Sequence, residues 1–142
     1  MPHPSDSLKL LIEKNSAEIN HLKGRIRETF ALRDMSPQKR KDWEHACKAF
    51  HSRYDELTFP GGWDGALDRL LAGEPEAMEA TICFLEVRPY FFRSGYMFDA
   101  LLRRAKRAPL TLEQKARLQI VINDVAAWKA RKRQESGANA RA

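Results

Sequence analysis

The sequence lacks the apolar run that a membrane-spanning helix needs, and it contains only two cysteines. A spanning helix takes about 20 predominantly apolar residues, and no segment of this chain approaches that length. Residues 1–16 also lack the basic start and apolar stretch of a signal peptide. Cys47 and Cys83 have no motif spacing and fall on apolar helix faces, so we expect buried free thiols. Together these absences predict a cytoplasmic protein without a membrane partner.

Catalytic and cofactor-binding motifs are missing as well. The chain has no G-x-S-x-G, H-E-x-x-H or Cys-x-x-Cys sequence and no glycine-rich phosphate loop. The sequence therefore predicts a protein that is not an enzyme, with no catalytic residues and no cofactor.

Two carboxylate-x-x-His pairs resemble half of a two-metal site between facing helices. They are Glu18 with His21 and Asp42 with His45. At about 100° per residue, however, His21 and His45 lie opposite the apolar stripes of their helices. Both would then point to solvent, and the sequence predicts no metal site.

Strand signals are absent, because no Asn-Gly or Asp-Gly pair joins two segments that alternate in polarity. Apolar residues recur at three and four positions instead, which predicts an all-α fold of about six helices in a single domain. The start and stop signals place these helices at about 7–33, 37–58, 64–72, 75–88, 95–108 and 112–133. The expected arrangement is an irregular bundle or a HEAT-like stack of helical hairpins.

Four helix ends carry specific predictions. Ser36 is a predicted N-cap for the second helix, and Ser94 is one for the fifth. Thr111 and Gln114 match a capping box at the start of the sixth helix. Gly73 suits the left-handed position that follows the third helix.

A weak internal repeat favours the HEAT-like arrangement. Residues 66–86 align with residues 100–120 at a shift of 34 and place Pro75 and Pro109 at corresponding predicted helix starts. The stripe of the first helix, which includes Ile12 and Ile19, is expected to pack on its own domain, with a dimeric coiled coil as the alternative. Residues 134–142 have little to bury, so the predicted domain covers 1–133 and is followed by a disordered tail.

Charge is distributed unevenly along the chain, which has a net charge of +6. Residues 42–86 carry a net charge of −7, and residues 103–133 carry +8. An acidic middle segment would suit a basic partner such as a nuclease. The candidate contacts near the turn at residues 59–62 are Asp55, Glu56, Asp64 and Asp68.

Two basic segments, at residues 103–107 and 129–133, favour nucleic acid as an alternative partner. Cations are also common in the last turn of a helix, where they stabilise its negative end, and on solvated helix faces. The candidate nucleic-acid contacts are Arg103, Arg104, Lys106 and Arg107.

The segment "RPYFFRSGYMF", residues 88–98, holds five of the 13 aromatic residues. Phe92 and Phe98 are expected in the core, at the joint between two helices. The other candidates are of the residue types that concentrate binding energy at protein interfaces. They form a predicted partner-binding set of Arg88, Tyr90, Arg93 and Tyr96.

Residues 84–118 resemble small helical bacterial proteins of the toxin-immunity type, through Pro89, Phe91, Arg93, Ser94, Gly95 and Tyr96. The resemblance implies a cytoplasmic binder that is not an enzyme. We therefore expect a protein-binding module, an inhibitor that neutralises a bacterial toxin by covering its active site or by holding it in an inactive conformation. A basic helical nucleic-acid-binding or regulatory protein is the alternative. The oligomeric state is left open by the sequence.

Overall fold

The computed structural model describes residues 3–141, which form six α-helices and, within that range, no strand. The helices are α1 (Pro4–Leu32), α2 (Pro37–Thr58), α3 (Ala66–Leu71), α4 (Pro75–Val87), α5 (Ser94–Ala105) and α6 (Leu112–Arg141). The predicted all-α fold is confirmed. No helix in the described part of the chain combines the length and apolar content of a membrane span.

Two of the predicted helix starts are confirmed by their hydrogen bonds. The Ser36 hydroxyl accepts from the backbone N–H of Lys39 at 3.1 Å and caps α2. Thr111 and Gln114 form the reciprocal capping box ahead of α6, with bonds of 3.0 and 3.1 Å. These signals are local, because each partner lies three residues from the other.

Ser94 does not cap α5 as predicted. Its hydroxyl accepts from the backbone N–H of Phe91 at 3.1 Å, and α5 begins at Ser94 itself. The residue before the helix is Arg93, which has a left-handed backbone with φ of 69°. Gly73 has φ of 80°, as expected after α3.

Helix α4 lies at the centre of the bundle and contacts α1, α3, α5 and α6. Its buried side chains run from Ala77 to Leu85 with one interruption, so it has almost no solvent face. Ile12 and Ile19 of α1 are buried in the same core, which confirms that this stripe packs on its own domain. Helix α2 pairs with α1 to form the long hairpin at one side.

An irregular bundle around α4 describes these contacts better than a stack of hairpins, because one helix is shared by four others. The 34-residue repeat does not place its prolines equivalently. Pro75 is the first residue of α4, whereas Pro109 lies in the turn before α6 and contacts the position where Gly73 would carry a Cβ.

The sixth helix extends further than the sequence predicts. It continues through residues 134–141, where we expected a disordered tail. Gln134 and Glu135 favour helical backbone, and the preceding turns provide a formed helix to extend. Residues 129–137 are all exposed, so the last turns of α6 extend beyond the bundle.

Candidate functional site

The connection between α4 and α5, residues 88–93, has an unusual backbone at both ends. Arg88 has φ of 50° and Arg93 has φ of 69°, and these are the only two positive values among the non-glycine residues that the structure describes. A side chain in the left-handed region costs roughly 1–2 kcal/mol. Such conformations persist when the surrounding structure holds them, and they concentrate at functional sites.

Three side chains from α1 and α2 hold this connection in place. Ser16 and Asn20 of α1 donate to the backbone carbonyl of Tyr90, at 3.3 and 2.9 Å. The hydroxyl of Tyr54 in α2 donates to the carbonyl of Phe92. Burial raises the pKa of Tyr54, although the nearby Arg93 lowers it, so the donor proton is retained at neutral pH.

The two neighbouring phenylalanines of this connection have opposite roles. Phe91 is buried, with its ring centroid 6.3 Å from that of Phe84. Phe92 is 44% exposed and lies under the ammonium group of Lys23, 4.2 Å from its ring centroid. The prediction that Phe92 is a core residue was therefore wrong, whereas the prediction for Phe98 is confirmed.

The predicted partner-binding set is exposed in full. Tyr90 is 87% exposed and Tyr96 is 66% exposed, and the side chains of Arg88 and Arg93 are exposed as well. With Phe92, these residues form an exposed set rich in aromatic rings and guanidinium groups, here called the 88–96 surface.

A groove of about 360 Å³ adjoins this surface on the side of α6. It lies between the start of α5 and the later turns of α6, and Arg88 lies over the Phe98 ring at 4.8 Å. Trp128 lines the groove and is 44% exposed, although it continues the apolar spacing of Leu118, Val121 and Val125 along α6. The 3.6-residue period could not show that α6 leaves the bundle near this residue.

The predicted acidic contacts divide into two roles. The carboxylate of Asp55 accepts from the backbone N–H of Asp64 at 3.1 Å, so it shapes the turn at residues 59–65. Glu56, Asp64 and Asp68 are exposed and form no ion pair within residues 3–141.

The same turn depends on Arg69, a residue that the sequence did not single out. Its guanidinium donates to the carbonyls of Gly61, Gly62 and Asp64, at 3.4, 2.9 and 3.0 Å. The turn is therefore fixed from both sides, by a cation and by a carboxylate.

The basic residues at the end of α5 lie together. A groove of about 470 Å³ is lined by Leu71, Arg103, Arg104, Lys106 and Arg107. None of its four cations forms an ion pair within the described residues. Because α3 and α5 both end near this groove, the cations also offset the negative ends of two helices.

A polar cluster between α4 and α6 was not predicted. Arg117 of α6 contacts Glu79 at 2.8 Å and Glu86 at 2.5 Å, and Gln114 donates to Glu79 at 3.1 Å. Lys9 of α1 lies 3.3 Å from Glu86. The cluster links three helices through charged groups at the edge of the core.

The pKa values of these groups follow from their contacts. Burial acts to raise the pKa of Glu79, but hydrogen bonds from Gln114 and Arg117 outweigh it and hold the pKa below its usual value. The same balance, with Arg117 and Lys9 as partners, lowers the pKa of Glu86. The Glu86 and Glu79 carboxylates raise the pKa of Arg117 in return.

Neither cysteine forms a disulfide. Cys83 is buried, as expected, and its burial, with the neighbouring Glu79 carboxylate, raises the pKa of the thiol to about 11. A thiol of this kind is a weak nucleophile at neutral pH. Cys47 is half-buried, in contrast to the prediction.

The two carboxylate-x-x-His pairs line one shallow groove of about 350 Å³ between α1 and α2. His21 and His45 are both exposed, as expected, but the sequence did not predict that they share a groove. Because α1 and α2 pair side by side, the faces that flank their apolar stripes meet. Glu18 is bound to Arg53 at 2.9 Å, and no three metal-ligating side chains of the described residues form a group that could hold a metal ion.

Comparisons with protein-family models, with curated proteins and with solved structures find no match for this chain.

Proposed function

We propose that this chain is a protein-binding module and that the 88–96 surface is its docking face. The observation that supports this proposal is the exposure of Tyr90 and Tyr96 on a connection whose backbone is held by α1 and α2. Tyrosine and arginine are enriched among the residues that dominate binding energy at protein interfaces. A fixed connection loses little conformational entropy when a partner binds.

The partner we propose is a bacterial toxin that this chain neutralises by binding. The resemblance of residues 84–118 to immunity proteins supports this choice. The exposed carboxylates of Glu56, Asp64 and Asp68 add a negatively charged region that suits a basic enzyme such as a nuclease.

Photo-crosslinking in cells of the source organism tests the docking face. A photoreactive phenylalanine derivative replaces Tyr90 in one variant and Tyr96 in another, and Leu10 in a control. Leu10 is 65% exposed and lies on α1, away from the connection in sequence. We expect both tyrosine positions to capture the same protein and the Leu10 position not to capture it.

The captured protein is then purified and titrated against defined variants. Replacing Tyr90 and Tyr96 together with alanine should weaken binding at least about 30-fold, the effect of losing one interface hot spot. Asp64→Lys with Asp68→Lys should also weaken binding if the partner is basic, without lowering the melting temperature. The partner's own activity should fall in proportion to the amount of this chain added. Unchanged affinity of the tyrosine variant would contradict the proposed docking face.

A further inference from the structure

The last turns of α6 form a free helical arm. Every residue from 129 to 137 is exposed, and at 1.5 Å per residue this segment is about 14 Å long. Upstream, Leu118 and Val121 are buried against the bundle. The helix therefore changes from a packed element to an isolated one within two turns.

The arm carries a concentrated positive charge. Lys129, Arg131, Lys132 and Arg133 fall within five consecutive positions. Lys129, Lys132 and Arg133 are spaced i, i+3 and i+4 and share one helix face. Lys132 makes a cation–π contact with the Trp128 ring at 5.7 Å and an ion pair with Glu135 at 3.9 Å.

The arm offers almost nothing apolar to a partner. From residue 129 to residue 137 the only apolar side chain is that of Ala130. A helix that docks in a protein groove, or that lies on a membrane surface, needs an apolar stripe. What the arm presents instead is charge on most of its circumference.

We propose that this arm binds the phosphate backbone of double-stranded DNA. A helix with side chains is about 10–12 Å across, and the major groove of DNA is about 12 Å wide. An isolated helix that enters this groove meets phosphates on both walls, which suits a helix with cations on more than one side. Double-stranded RNA fits less well, because its major groove is deep and narrow. This inference goes beyond protein binding and rests on a different part of the chain.

Two variants with the same change in net charge test the proposal. In the arm variant Lys129, Arg131, Lys132 and Arg133 all become glutamine. In the groove variant Arg103, Arg104, Lys106 and Arg107 become glutamine, so both variants lose four positive charges. Fluorescence anisotropy measures the binding of each full-length protein to a labelled 20-base-pair DNA duplex between 50 and 200 mM NaCl.

We expect wild-type affinity to fall about 100-fold over this range, since four neutralised phosphates give a salt slope near −3.6. The arm variant should bind at least 10-fold more weakly at 50 mM NaCl, with a slope reduced by about 3, and the groove variant should lose less than 3-fold. Amide hydrogen exchange of residues 129–137 should slow when DNA is added to the wild type. Circular dichroism melts verify that both variants fold.

Several outcomes would overturn the proposal. The first is that the wild type does not bind the DNA duplex at 50 mM NaCl. The others are that both variants lose the same affinity for DNA, or that the groove variant loses more than the arm variant. Equal affinity for an RNA duplex of the same sequence would exclude the major groove as the site. Binding to vesicles with 30% anionic lipid but not to DNA would assign the arm to a membrane surface. None of these results depends on the crosslinking at Tyr90 and Tyr96, so the two proposals fail separately.

Discussion

Arg117 is the residue on which the charged contact between α4 and α6 depends. Its side chain is 15% exposed, and it contacts Glu79 and Glu86 at 2.8 and 2.5 Å. Removing one partner of such a pair is costly, because the remaining carboxylates stay partly withdrawn from water without a counter-charge. Glu86 and Glu79 lie 31 and 38 positions away in the sequence, so no local pattern could have revealed the cluster.

We expect Arg117→Ala to lower the free energy of unfolding by about 2 kcal/mol, between the values for a surface pair and a buried pair. Urea denaturation measures the change. Lys115→Ala is the matched control, because Lys115 lies on the exposed face of the same helix and forms no ion pair with a described residue. Its effect should stay within about 0.5 kcal/mol. Equal stabilities of the two variants would show that the cluster contributes nothing.

Acid should weaken the protein through the same cluster. The pKa values of Glu79 and Glu86 are lowered from the usual 4.5 in the folded state, so the unfolded chain takes up protons first as the pH falls. The stabilisation is fully present above the unfolded pKa and is lost as the pH falls through the folded pKa. Urea midpoints should therefore stay level from pH 7 to about 5 and decline below it, with a smaller decline in Arg117→Ala. An unchanged decline in that variant would place the acid sensitivity elsewhere.

At the scale of elements, the connection between α4 and α5 shows where sequence patterns lose their predictive value. The caps at Ser36 and Thr111 could be predicted, because the groups that bond lie within one turn of helix. The exposure of Phe92 and the burial of Phe91 could not. They follow from the left-handed backbone of two arginines and from hydrogen bonds to α1 and α2. Helical periodicity describes neither feature.

The left-handed backbone of Arg93 predicts that a glycine variant is more stable than an alanine variant, the reverse of the usual order. Alanine and glycine both remove its side chain, but only glycine adopts a φ of 69° without steric cost. Arg93→Gly should therefore be more stable than Arg93→Ala by about 1 kcal/mol. Thermal and urea denaturation of both variants measure this difference.

Lys48 provides the control for this order, because it is exposed and lies in the interior of α2. There alanine should be more stable than glycine by about 1 kcal/mol, as in any exposed helix interior. The same order at both positions would mean that the backbone of Arg93 is not strained.

At the scale of the whole molecule, two turns that are distant in sequence lie against each other. A Cβ on Gly73 would lie 2.8 Å from the Pro109 ring, so the turn before α4 and the turn before α6 are in close contact. The sequence predicted the left-handed backbone of Gly73 from its place after α3. The contact with Pro109 depends on how α3 and α5 pack, and no spacing in the sequence encodes it.

Gly73→Ala should lower the free energy of unfolding by about 2 kcal/mol, because it combines an unfavourable φ with overpacking. Gly24→Ala is the control. That position lies inside α1 with open space around the added Cβ, and alanine should raise stability there by up to about 1 kcal/mol. Differential scanning calorimetry compares the two variants. A neutral Gly73→Ala would mean that the two turns separate at little cost.

The dependence of α4 on Arg117 also bears on how the protein would be degraded. A protease that cuts between α5 and α6, at residues 106–111, would leave α6 held only by its non-covalent contacts, among them those of Arg117 with Glu79 and Glu86. Dissociation of α6 after the cut would remove the Arg117 side chain that contacts Cys83, which is fully buried in the intact chain. A single nick in this turn should therefore lead to rapid breakdown of the whole chain rather than to a stable truncated product.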